Sequence, residues 1–169
     1  YKTSKGMVIV NRVAVDDYIS KVVSSEIGGE APMEALKAQA VCARTYILKC
    51  SNSKYKKYNA IADDSTSYQV YNRIGENNKT KKAAKATNGI VMTYENELIN
   101  AYYFSTSCGY TTDYRIWGKE KKLYLKGTNL TNRYYWRNKL QKNNNKKYKI
   151  VWRQISILQV ENYFDFKWN

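Results

Sequence analysis

The chain has 169 residues, enough for one compact domain or two small lobes sharing a cleft but not for two full domains, and its 43% hydrophobic content supports a folded core. Lys and Arg number 29 against 14 Asp and Glu, and the resulting +15 favours polyanionic partners such as nucleic acid, an anionic membrane or a cell-wall polymer. There is no histidine, which excludes Ser-His-Asp and Cys-His catalysis and any metal site built on imidazole.

In chain order, residues 7–10 read as a short apolar strand and Asn11-Arg12 as a turn. Residues 15–44 then read as two helices joined by a glycine break. Asp16 or Asp17 can cap the first, and Ile19, Val22 and Val23 recur at helical spacing as an apolar stripe. Glu26 falls on that stripe, beside apolar side chains, where a carboxyl resists ionising as a general acid must. The alternative is a helix-end glutamate turned toward water. Gly28-Gly29 ends this helix, because glycine takes the left-handed conformation without steric cost, and Pro32 suits the first turn of the next. Met33, Leu36, Ala40 and Ile47 continue an apolar face, and Ala35, Ala38, Ala40 and Ala43 allow close helix contact. Lys37, Val41, Arg44 and Leu48 form a separate stripe, which suits either an anionic ligand or a solvated basic face.

Residues 49–59 have the composition of an exposed loop, residues 60–62 of a brief strand, and residues 63–71 of a polar loop able to carry functional groups. Residues 77–88 are predicted to form a third helix, basic on one side and packed through Ala83, Ala84 and Ala86, with Asn88-Gly89 as its stop. Residues 90–94 and 98–104 read as strands of a hairpin around Glu95-Asn96-Glu97, leaving through the small-residue loop 105–110. Cys42, Cys50 and Cys108 are too few and too scattered for a zinc cage, and are expected to be buried small hydrophobes. Further on, residues 132–141 suggest a helix, 142–149 an Asn/Lys-rich loop and 149–152 a strand. Tyr163, Phe164, Phe166 and Trp168 make an aromatic tail that suits core capping or sugar stacking. The expected class is α+β: a mixed single domain, with two lobes around a substrate groove as a variant, containing a helix pair near the start and an antiparallel hairpin. No signal peptide or membrane-spanning run is read, and a chain opening on Tyr1 is expected to be a trimmed or mature fragment.

The runs "VAVDDYISKVVSSEI" and "APMEALKAQAVCARTY", followed by "DDSTSYQVY", "AAKATNGIVMTYENELINAYYFSTSCGYTTD" and "IWG", together resemble the stage II sporulation protein D family of peptidoglycan-cleaving proteins. The resemblance covers roughly residues 8–128, in order, and fades beyond Thr128. It implies that Glu26 protonates the oxygen between N-acetylmuramic acid and N-acetylglucosamine and then takes a proton from the muramic acid's own 6-hydroxyl, closing an anhydro ring without water. Lys37 and Arg44 coincide with basic family positions and would hold the lactyl carboxylate of a peptide-stripped strand. Gln69 and Tyr71 match a groove-lining pattern, Ser107 and Tyr110 lie in a loop that faces the glutamate in the family, and Trp117-Gly118 matches a packing motif. Some relatives bind zinc through a cysteine and a histidine just before the glutamine. Ser67 and Tyr68 stand here instead, so no metal or other cofactor is expected.

The resemblance also implies peptidoglycan strands as substrate, a cell-wall amidase and a membrane protein of an engulfment complex as partners, and an extracytoplasmic location on an N-terminal membrane anchor. Two other readings stand beside a lytic transglycosylase. One is a non-catalytic amidase enhancer, since the same domain occurs in proteins of that name. The other is a nucleic-acid binder, suggested by charge alone and without a recognised motif, so no nucleic-acid partner is expected.

Overall fold

The computed structural model describes residues 1–50, 54–71, 77–104, 110–116, 118 and 120–127. Helix α1 (Val15–Ile27) buries Ile19, Val22 and Val23 completely, as their spacing predicts. Neither acid caps it. Ala14 holds the N-cap position without a side-chain bond, which moves Asp16 and Asp17 into the first turn, where their charge suits the helix dipole. Gly28 closes the helix at φ +74, its N–H bonded to the Ser24 carbonyl at 3.0 Å. Helix α2 (Met33–Lys49) starts one residue later than expected, so Pro32 is its N-cap and accepts from the Leu36 N–H at 3.0 Å. Leu36, Ala40, Ala43 and Ile47 are buried.

Helix α3 (Asn78–Ala86) is capped by Asn77, whose side chain accepts from the Lys79 and Thr80 N–H groups at 2.8 and 3.4 Å. Ala83 and Ala84 are buried as expected, whereas Ala86 is exposed, because the buried face runs through Thr80, Ala83, Ala84 and Thr87 and Ala86 lies off it. Each of the three helices packs on both others. Between α1 and α3 the contact is partly polar: the Ser20 and Ser24 hydroxyls lie 3.2 and 3.0 Å from the Thr80 hydroxyl, which itself donates to the Asn77 carbonyl at 2.9 Å. These buried hydroxyls satisfy one another, so small side chains bring the helices close without leaving a polar atom unpaired.

Gly29 is required for a different reason from Gly28. A Cβ at Gly29 would lie 1.7 Å from Nδ2 of Asn77, inside the side chain that caps α3. Gly29→Ala is therefore expected to displace the cap and lower stability by about 1 kcal/mol, read from the midpoint of urea unfolding. An unchanged midpoint would show that Asn77 swings aside without loss.

The strand pieces are short. Strand β1 (Lys2–Thr3) pairs antiparallel with β2 (Gly6–Met7), and the Val8 N–H donates to the Tyr1 carbonyl at 2.8 Å. The expected strand over residues 7–10 is thus only the last residue of β2, and Met7 and Ile9 are strongly exposed. Residues 60–62 form no strand either. They follow a 3₁₀ turn (Lys56–Tyr58) in an irregular segment, with Ile61 exposed. The second hairpin is present but tighter than expected: β3 (Thr93–Tyr94) pairs with β4 (Glu97–Leu98) around Glu95 and Asn96, both at positive φ (52° and 65°). A two-residue turn of this hand matches strand twist, which places Glu97 inside the strand. The Met92 N–H donates to the Thr45 hydroxyl at 2.9 Å and anchors the approach to this hairpin on α2.

The chain divides into two units, Tyr1–Tyr102 and Tyr103–Asn169. In the second, a 3₁₀ turn (Tyr114–Ile116) is held by the Tyr114 N–H on the Leu125 carbonyl at 3.0 Å, and Arg115 pairs with Asp113 at 3.0 Å. The mixed helix and hairpin content is that of the expected α+β class. The expectations for residues 132–141, 142–149 and 149–152, the aromatic tail, Cys108 and Trp117 lie outside the described residues.

Candidate functional site

Glu26 sits in the last turn of α1, three and four residues past the buried Val23 and Val22, and is itself partly buried. A carboxylate there faces the negative end of the helix dipole, an unfavourable placement of about 0.3–1 kcal/mol. What meets it is the loop 63–71: the Val70 N–H donates to Glu26 Oε1 at 3.0 Å. A main-chain donor fixes the carboxyl without a side chain that could swing away, and an acid that must address one bond needs such a fixed orientation.

Gln69, the neighbour of Val70 in that loop, is only 1% exposed. Its Oε1 accepts from the Tyr18 hydroxyl at 3.2 Å, and its Nε2 donates to the Ala43 carbonyl of α2 at 3.3 Å. The Gln69 side chain, expected at a sugar, is thus enclosed between α1 and α2. Tyr71 is only partly buried. Its ring stacks on Tyr18, centroids 5.3 Å apart and planes 12° from parallel, and Lys21 Nζ lies 5.7 Å from its centroid. Nearby, Tyr46 meets Tyr102 edge-on at 6.4 Å. Burial, then Cys50, Tyr46, Tyr71 and Glu26, hold the Tyr18 phenol well above the usual tyrosine range, so it stays a donor to Gln69. Burial likewise pushes the Tyr46 phenol up to about 12. The Cys50 thiol is also raised by burial, against a lowering bond from Tyr46, which leaves it without the thiolate character of a nucleophile. Cys42 is buried, as expected.

Lys37 and Arg44 do not share a ligand-facing stripe. Lys37 is partly exposed and bridges Glu34 one turn earlier at 2.8 Å. Arg44 is 2% exposed: its guanidinium reaches Asp16 at 3.1 Å, the Ala84 carbonyl at 3.0 Å, and the Thr87 hydroxyl and Ile90 carbonyl, each at 3.3 Å. The two terminal nitrogens of the guanidinium, expected at an anion, are thus turned toward α1, the end of α3 and the Ile90 carbonyl. Glu30 is exposed and paired with Lys79 at 3.4 Å. Tyr110 is exposed and belongs to the second unit, and Ser107 lies outside the described residues.

Sequence reading missed Tyr18, Lys21 and the Val70 N–H. Tyr18 and Lys21 sit on a helix whose apolar period accounts for its neighbours, and Tyr18 meets Gln69 from 51 residues away. No local pattern signals such a contact.

The first unit therefore defines a small α+β domain in which a loop presents a main-chain donor to a helix-end carboxylate. The profile of the SpoIID family, described as stage II sporulation protein, matches residues 3–94, and the chain belongs to that family. It is similar to stage II sporulation protein D of Bacillus amyloliquefaciens, 34% identical over 141 residues that make up 75% of this chain and 40% of that protein. It is also similar to the protein of the same name from Bacillus subtilis (strain 168), 36% identical over 132 residues, 69% of this chain and 38% of that one. A third relative is the amidase enhancer of Bacillus subtilis (strain 168), 39% identical over 90 residues, 53% of this chain and 12% of that protein. The chain thus spans 40% or less of the length of each of these relatives.

Proposed function

We propose that this chain is a cell-wall protein that cleaves the bond between N-acetylmuramic acid and N-acetylglucosamine in peptide-stripped peptidoglycan, as a lytic transglycosylase. The observation that carries the reading is Glu26, held by the Val70 N–H at 3.0 Å within the stretch that matches the family. Glu26 gives its proton to the glycosidic oxygen as the bond from that oxygen to muramic C1 breaks, and the charge on C1 is oxocarbenium-like. The carboxylate then takes the proton of the muramic 6-hydroxyl as O6 bonds to C1. The anhydro ring closes, Glu26 is protonated again, and no water is consumed. A single carboxyl suffices because the sugar supplies its own nucleophile.

Lys37, from α2, is suited to the lactyl carboxylate that stripping exposes, and Tyr71, Ser107 and Tyr110 are the side chains assigned to the sugars. On this reading the domain works outside the cytoplasm as part of a longer, membrane-anchored protein, beside an amidase that removes stem peptides and a membrane protein of an engulfment complex. The process is wall remodelling of the kind used in sporulation.

The similarity to an amidase enhancer favours a second reading, in which the domain binds glycan strands and acts through an amidase without cutting. Incubation of the purified protein with peptide-stripped glycan separates the two. Anhydromuramic ends detected by mass spectrometry are expected, and bound but uncut glycan would establish the enhancer instead.

A further inference from the structure

The loop that holds Glu26 is tied to the helices by its most deeply buried side chain, Gln69. Gln69 and Val70 share a planar peptide unit, so tying the Gln69 side chain to the helices restrains the backbone from which the Val70 N–H projects, with the ψ torsion of Gln69 as the main freedom left between them. Gln69 bonds to a different helix through each end of its amide: Oε1 accepts from Tyr18 of α1, and Nε2 donates to the Ala43 carbonyl of α2. That carbonyl lies inside α2 and uses a second lone pair for the contact. Only an amide can do both, since a carboxylate has no hydrogen for Ala43 and leucine has neither group. The side chain is 1% exposed, so both bonds are shielded from water.

We infer that Gln69 is a positioning residue for Glu26: clamped between α1 and α2, it sets where the Val70 N–H meets the carboxyl, and so the direction in which that carboxyl can address a bond. The inference rests on the proposed acid role of Glu26 for its kinetic consequence, but not for its structural one. Tyr18 is the second member of the clamp. Its phenol is kept protonated by burial, so the bond to Gln69 persists to alkaline pH.

The test pairs a structural readout with a kinetic one. Gln69→Leu keeps side-chain size and removes both hydrogen bonds. In the wild-type background, Glu26→Gln should move the Val70 backbone amide resonance, because the carboxyl oxygen that accepts from it is replaced by an amide oxygen. In the Gln69→Leu background that displacement should fall by at least about half, since the donor is no longer held in place. On peptide-stripped glycan, kcat of Gln69→Leu should drop about 10- to 100-fold while KM changes less than about twofold, the pattern of a misaligned acid rather than a lost sugar contact.

A displacement of undiminished size in Gln69→Leu overturns the inference, as does a rise in KM at constant kcat. Should Gln69→Leu not fold, Tyr18→Phe removes one of the two bonds and is expected to weaken the same coupling by a smaller amount; an unaltered coupling overturns the inference there too. If wild type cuts no glycan, the proposed function fails, and the amide coupling still decides what Gln69 does.

Discussion

Glu26→Gln is expected to lower the rate of anhydromuramic product formation by about 10²- to 10⁴-fold, the range that one positioned general acid contributes. Glutamine is the right substitution because its amide oxygen can still accept from the Val70 N–H, which lies 3.0 Å from Oε1 in the wild type. Stability should therefore change by less than about 0.5 kcal/mol, and a lost rate can be read as lost proton transfer. Glycan affinity should hold, since the carboxyl acts in the bond-breaking step and not chiefly in binding. Glu30→Gln is the matched control: Glu30 is exposed and paired with Lys79 at 3.4 Å, and its loss should leave the rate within about twofold. Mass spectrometry of the anhydromuramic ends formed over time measures all three proteins. A Glu26→Gln protein that cuts as fast as wild type would remove Glu26 as the acid and with it the transglycosylase reading.

The helices were legible in the sequence because the signals that specify them are local. Ile19, Val22 and Val23 mark the buried face of α1 at a 3.6-residue period, Gly28 marks its end, and Ala83 and Ala84 mark the packed side of α3. Short strands are less legible, because an apolar run is not by itself a pairing signal. Residues 7–10 and 60–62 are apolar enough, but neither has a partner strand along its length, and Met7, Ile9 and Ile61 are exposed. Glu26 could be placed on the edge of the apolar stripe, yet nothing local indicates that Val70 returns from 44 residues away to hold it. The same limit explains Gln69 and Arg44. Polar residues read as exposed by default, and only long-range partners (Tyr18 and Ala43 for one, Asp16, Ala84, Thr87 and Ile90 for the other) turn them into buried ties.

Arg44 should accordingly be the costliest surface-type residue to lose. Arg44→Met keeps most of the stem and removes the fork, and is expected to destabilise the protein by about 2–4 kcal/mol. Two sources add. The first is the end of α3, where the Ala84 carbonyl and Thr87 hydroxyl receive N–H groups at 3.0 and 3.3 Å, and where positive charge suits the helix dipole. The second is the start of α1, through Asp16 at 3.1 Å. The second is the smaller, because the Asp16 side chain is 36% exposed and water can replace the guanidinium. Asp16→Asn should cost at most about 1 kcal/mol, so most of the Arg44 effect is expected to survive in the double variant. Arg44→Lys should recover less than half the loss, since one ammonium cannot reach partners spread over two helices as a planar fork does. Urea unfolding of the four variants measures this. A midpoint unmoved by Arg44→Met, together with weakened glycan binding, would mean that the guanidinium leaves α3 to meet a ligand, and would assign Arg44 to anion binding and not to the fold.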